Sequence, residues 1–173
     1  VTHNVPDISQ GDEAICQACA FANCLAWWGT NGYPELTEGD TEQEENENLR
    51  DELEERCHGD EDNEGMGDAG ATDYLKDKGV YRGQEQADEN RPQLEHVRRS
   101  GARATWDWLE EQFEAGHDVL LRLQWYDEDG ELVDEDAAHY VTVAQVIEDD
   151  EGNKKILVAN PWGDSHHLSL IHI

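Results

Sequence analysis

Between Ile15 and Trp28 the chain offers almost no polar position. Ala18, Cys19, Ala20, Phe21, Ala22, Cys24, Leu25, Ala26, Trp27 and Trp28 are broken only by Gln17 and Asn23. Wound at helical pitch, such a run has no polar face, and a helix apolar all round is a buried one. Gly29 and Asn31-Gly32 supply its stop. The approach over residues 1–14 is polar and turn-rich, with Pro6, Gly11 and Asp12 set against regular structure. Downstream, Leu49, Leu53 and Cys57 recur every fourth residue in an acidic stretch, which predicts a surface helix over about 41–57 with one narrow stripe turned inward. A loop from Gly59 to Gly67 follows. Ala71, Tyr74 and Leu75 then suggest a short helix ending at Gly79. Residues 82–104 are polar, with one strand expected near Val97. Thr105 can cap a helix carrying Trp106, Leu109 and Phe113, with Gly116 as its end.

Past Gly116 the period changes from helical to alternating. Strands are expected over Val119–Trp125, His139–Ile147 and Ile156–Asn160, with turns at Asp127–Gly130 and Asp150–Asn153, and a short closing strand over His167–Ile173. Helices first and an antiparallel sheet afterwards make an α+β layout. The 173 residues fit one domain, helical to about residue 116 and sheet from about 117, with no internal repeat.

Charge alters the picture of the surface. There are 42 Asp+Glu against 12 Lys+Arg, a formal net charge of -30, and only four of the basic residues are Lys: Lys76, Lys78, Lys154 and Lys155. Six Trp, five Tyr and cleanly patterned segments argue against disorder. In dilute buffer this charge opposes compaction, whereas at about 1 M salt the Debye length shrinks to ~3 Å and the repulsion fades. A protein adapted to molar salt is therefore expected, with solvated cations over its acidic surface. A dedicated cation-binding surface or a basic partner would also account for the acid, but it is spread along the whole chain rather than gathered in a tail. Nucleic acid is not expected as a partner, because phosphate demands a basic surface. No stretch reaches the ~18 apolar residues of a membrane span, so no membrane association is expected. The first residue is Val1 rather than Met, which suits a trimmed secreted or cell-surface protein or an excised domain. A monomer is expected.

Candidate chemistry follows from order and placement. Cys16 opens the buried helix, where the macrodipole favours an anion, and a thiolate rather than a thiol is the nucleophile. His139 begins a strand whose Val141 and Val143 look inward, which gives a base on a rigid edge. Asn160 ends the next strand, so its amide can fix the imidazole tautomer, and Trp162 can shield that bond from water. Gln10, six residues before Cys16, can donate to a developing oxyanion. Each alone has an ordinary reading: a buried small hydrophobe for Cys16, a surface imidazole for His139, a turn for Asn160-Pro161-Trp162. Together they form the Gln, Cys, His, Asn series that thiol attack on an amide requires. If Cys16 is a nucleophile, Cys19, Cys24 and Cys57 can form at most one disulfide.

The segments Gln10–Cys16, His139-Tyr140-Val141 and Asn160-Pro161-Trp162-Gly163, with the Trp-bearing helix and apolar strand of residues 105–123, resemble papain-like cysteine peptidases. They are most similar to the bacteriocin-leader (double-glycine) processing peptidases and their stand-alone relatives. The resemblance implies a papain-like fold, in which a buried helix bearing the Cys packs on an antiparallel sheet bearing His and Asn. It further implies peptide or protein substrates, no cofactor or metal, and roles for Cys16 as nucleophile, His139 as acid and base, Asn160 as orienting residue and Gln10 in the oxyanion hole. Relatives commonly place Gly and Pro after the nucleophile, where Gln17 and Ala18 stand here. Many carry Asp as third member, so Asn160 follows papain's own pattern.

Other readings are open to test. The same fold serves amidases, other acyl transferases and catalytically silent peptide-binding modules. Cys16-Gln17-Ala18-Cys19 is a C-x-x-C, though it lacks the strand that leads into a thioredoxin-type helix. Cys16, Cys19, Cys57 and His58 could be counted as a zinc quartet of irregular spacing. Asp60, Asp62 and Glu64 imitate the opening of a calcium loop, but Ala71 takes the place of its closing Glu.

Overall fold

The computed structural model describes residues 2–10, 15–59, 65–84, 92–124, 127–133, 138–161 and, as backbone, 169–172. Among them are four α-helices followed by a four-stranded antiparallel sheet in the order β1-β2-β3-β4. The α+β expectation holds. The helices are α1 (Cys16–Thr30), α2 (Glu42–His58), α3 (Asp68–Asp77) and α4 (Trp106–Glu114). The strands are β1 (Leu120–Gln124), β2 (Ala138–Glu148), β3 (Lys154–Ala159) and β4 (Ser169–His172). Each expected helix is present within a few residues of its expected limits.

Helix α1 is the centre of the molecule, and residues 17–26 are all buried. Its two polar interruptions are buried with specific partners, as hydrogen-bonding groups removed from water must be. Asn23 Oδ1 accepts from the Ile8 N–H at 2.9 Å, and Gln17 Nε2 donates to Asp68 Oδ1 at 2.5 Å. The acidic α2 packs through Leu49, Leu53 and Cys57 only, the stripe read from the spacing. Its last turn is held by Arg56, which pairs with Glu52, Asp73 and Asp77 and lies over the Tyr74 ring. Helix α3 comes close because Gly70 has no side chain; a Cβ there would meet the Arg56 carbonyl carbon at 2.8 Å. Thr105 caps α4, its side chain accepting from the Trp108 N–H.

Two cores result. One gathers α1, α2 and α3 around Leu36, Leu53 and Tyr74; the other packs Leu109 and Phe113 of α4 on Val141, Val143, Ile156 and Val158 of the sheet. β1 pairs with β2 so that Leu121 faces Val141 and Arg122 faces Tyr140. Between β2 and β3 the register slips at Ala144, a bulge that breaks the ladder locally. The Ala144 carbonyl accepts the His3 N–H at 2.9 Å, and Thr2 bridges Gln145. The approach segment is thereby pinned to the sheet, although residues 3–10 form no regular element.

One expectation needs correction. Residues 95–100 are not a strand: Val97 is 53% exposed beside Arg98 and Arg99, and among the described residues the ladder contact nearby is a bridge from Tyr81 to Leu94. The four cysteines are all free, so the one disulfide that the count allowed is not formed. The Asp127–Gly130 turn is present, closed by the Gly130 N–H on the Asp127 carbonyl. Asp60, Asp62, Glu64, Trp162 and Gly163 lie outside the described residues.

Candidate active site

Helix α1 lies along β2, and the tie between them is Thr142, fully buried, whose Oγ1 donates to the Ala20 carbonyl at 2.9 Å. One helical turn before Ala20 stands Cys16; two residues before Thr142 stands Tyr140. Cys16 lies within electrostatic reach of the Tyr140 ring.

His139 and Asn160 meet where β2 begins. His139 Nε2 lies 2.7 Å from Asn160 Oδ1. A carboxamide oxygen can only accept, so Nε2 carries the hydrogen and Nδ1 is the basic nitrogen. The ring is 2% exposed. Burial pushes its pKa below the ordinary 6.5, and the Asn160 bond opposes that push. The imidazole is neutral near pH 7, the form a general base needs. Gln10 joins through its backbone, its N–H donating to the Pro161 carbonyl at 3.1 Å. The structure thus links Gln10 and His139 to the Asn160-Pro161 corner directly, and brings Cys16 within electrostatic reach of Tyr140, the residue after His139.

Cys16 is the one thiol of the four with partial exposure. Burial pushes Cys19 up to about 12 and Cys57 to about 11, and Cys24 is also raised, chiefly by burial. These three are buried thiols that their apolar setting holds protonated. Among the described residues no group of three or more His, Cys, Asp or Glu is arranged to hold a metal ion.

Alternation along β2 turns Tyr140 and Thr142 toward α1, and His139 with Val141 and Val143 toward the side where α4 packs. An encounter of the Cys16 thiol with the imidazole therefore runs around the opening end of β2 rather than through the sheet. The first N–H groups of α1, that of Cys16 included, have no carbonyl within the helix to bond.

Three groupings escaped the sequence reading. Gln17 ties the residue after Cys16 to Asp68, and Asp68 in turn takes Arg98 Nη1 at 3.0 Å. Polar Gln17 and Asn23 in an otherwise apolar helix were the signal that partners were waiting. Tyr140 and Thr142 looked like ordinary strand positions. His3, which looked like a loop residue, is 5% exposed, stacked between Trp27 at 4.6 Å and Phe113 at 4.1 Å, with Nδ1 3.1 Å from Asp118 Oδ1. A cavity of about 620 Å³ lies along the approach segment, lined by His3, Asp7, Ala26, Glu45, Ala144 and Ala159 among others, and none of the four candidate residues lines it. A scan of protein-family models and searches of curated proteins and of solved structures return no match.

Proposed function

We propose that the chain is a cysteine peptidase of papain-like fold that works at high salt, and that it acts through Cys16, His139, Asn160 and Gln10. The observation that carries this reading is the His139 Nε2–Asn160 Oδ1 bond of 2.7 Å, with Cys16 at the start of α1 within electrostatic reach of the adjacent Tyr140. Nothing in a purely structural role needs a buried neutral imidazole, its tautomer fixed by a carboxamide, near the most exposed thiol.

In this reading the Cys16 thiol gives its proton to His139 Nδ1, and the sulfur attacks the carbonyl carbon of the scissile peptide. The oxyanion that forms is met by the Cys16 N–H and the Gln10 side chain. Collapse breaks the C–N bond, His139 passes the proton to the leaving amine, and a thioester remains on Cys16. Water, deprotonated by His139, attacks the thioester and restores the thiol. Asn160 holds the ring so that Nδ1 stays aimed at sulfur and substrate. Gln17, where Gly commonly stands in the family that the chain resembles, braces the first turn of α1 on α3.

The direct test is labelling with a thiol-directed peptide inhibitor in molar KCl, followed by mapping of the adduct and by peptide hydrolysis assays of Cys16→Ala. Selective labelling of Cys16 and loss of hydrolysis are expected. Cleavage that survives in Cys16→Ala, or an adduct on Cys19, Cys24 or Cys57, refutes the mechanism. Inhibitor labelling without hydrolysis of any peptide would instead favour transfer to an acceptor other than water.

A further inference from the structure

The acidic chain keeps two exposed arginines beside the candidate nucleophile. Arg122 stands opposite Tyr140 in the β1–β2 register and shares its side of the sheet, the side against which α1 packs. It is exposed, and among the described residues no carboxylate lies within ion-pairing distance of it. Other described cations are matched to acids, Arg50 to Asp51, Arg56 to Glu52, Asp73 and Asp77, Lys78 to Glu38 and Lys155 to Asp149, whereas Lys76, Arg99 and Arg103, like Arg122, have no ion pair among the described residues. From the α3 side comes Arg98, its side chain 66% exposed, anchored on Asp68. Asp68 in turn holds Gln17, the residue after Cys16. The Tyr140 ring lies within electrostatic reach of Asp68, Arg122, Arg98 and Cys16 together. Among the described residues, these are the charged and titratable groups that act on that ring, two arginines and one aspartate beside the thiol.

We propose that Arg122 and Arg98 form a cationic rim on the Cys16 side of the sheet that selects peptides carrying an aspartate or glutamate next to the scissile bond. The proposal rests on the peptidase reading of the same site. A guanidinium held on a strand suits a carboxylate, which it can meet through two parallel N–H donors. Arg98 is already engaged by Asp68, so Arg122 is the residue with its donors to offer. Contact pairing of this kind persists where molar salt has erased longer-range attraction.

The test compares fluorogenic peptides that differ only in Asp, Asn or Lys on either side of the cleaved bond, in molar KCl, with wild type, Arg122→Ala, Arg122→Lys and Arg122→Glu. Binding of the same peptides to Cys16→Ala and to Cys16→Ala/Arg122→Glu is followed by fluorescence anisotropy. Wild type is expected to favour the Asp peptide in kcat/KM by about fivefold, the scale of a well-formed exposed ion pair. Arg122→Lys keeps part of that preference, Arg122→Ala removes it, and Arg122→Glu turns it toward Lys. Cleavage without charge preference, or a preference unmoved in Arg122→Glu, overturns the rim and leaves the peptidase standing. Absence of Cys16-dependent cleavage overturns the peptidase; the rim is then decided by binding alone, upheld by an acidic preference lost in the Arg122→Glu protein and overturned by its absence.

Discussion

The buried pair of His3 and Asp118 makes stability depend on pH in a window that can be worked out. His3 is clamped between Trp27 and Phe113, its side chain 4% exposed and that of Asp118 5% exposed. Burial lifts Asp118 to about 8 and lowers His3. Both shifts mean that the folded pair holds a single proton across the neutral range, shared over the 3.1 Å contact. Unfolded, the same two side chains also hold one proton between about pH 4 and 6.5, on the His, and lose it near 6.5. The folded pair keeps that proton to about 8. Between 6.5 and 8 the folded state therefore binds more protons, and stability falls as pH rises. The span is about 1.5 pH units at 1.36 kcal/mol each, a loss of about 2 kcal/mol. Below about pH 4 the unfolded chain takes up a second proton that the buried pair resists, and stability falls again.

The assay is denaturant unfolding followed by Trp fluorescence at fixed high salt, at pH 5.5, 6.5 and 8.5. Asp118→Asn serves as the reference, because an amide can donate to His3 Nδ1 and does not titrate. Other ionisable groups act on both proteins, so their contribution cancels in the difference. Wild type is expected to lose about 2 kcal/mol more than Asp118→Asn between pH 6.5 and 8.5. Equal slopes in the two proteins would refute the shared-proton reasoning.

Other outcomes follow from the same geometry. His139→Ala should lower kcat by ~10²–10⁴-fold, the usual contribution of a positioned acid-base group, and should also lower the unfolding midpoint, because a buried ring and its bond to Asn160 are lost; an unchanged kcat in the folded variant would assign the residue to structure. Asn160→Ala should reduce kcat less than His139→Ala and shift the acid limb of the pH-rate profile downward, since the bond that raises the ring's pKa is lost. Thr142→Val removes the hydroxyl that binds α1 to β2 and should cost about 0.5–1.5 kcal/mol, the net contribution of one hydrogen bond, because the Ala20 carbonyl keeps its partner within the helix, measured by denaturant unfolding. Raising KCl from about 0.1 M to about 2 M should increase the melting temperature, because screening removes self-repulsion among the acidic side chains; a melting temperature indifferent to KCl contradicts the high-salt reading.

How much was legible beforehand varied with the range of the forces involved. The apolar run of residues 15–28, the Leu49–Leu53–Cys57 stripe, the Thr105 cap and the alternating strands were readable, because helical and strand periods are local rules that burial merely ratifies. The candidate residues were legible as an ordered series, and their meeting was not. The His139–Asn160 bond needs the antiparallel return of β3 against β2, and the Gln10–Pro161 bond needs the approach segment laid back on that corner. Val97 misled because a lone apolar residue in a polar stretch has the right local propensity and, among the described residues, no strand to pair with.

The sequence by itself determined a helical half and a sheet half, a strongly acidic composition, and four side chains of complementary chemistry in chain order, since all of these rest on spacing and composition. Only the tertiary structure decided that Cys19, Cys24 and Cys57 are sealed off while Cys16 keeps some exposure. It alone turned His3 from a loop residue into a buried partner of Asp118, and it alone set Arg122 beside Tyr140. Burial, and the pKa shifts and pairings that come with it, depend on which distant segments pack together, and no local pattern encodes that.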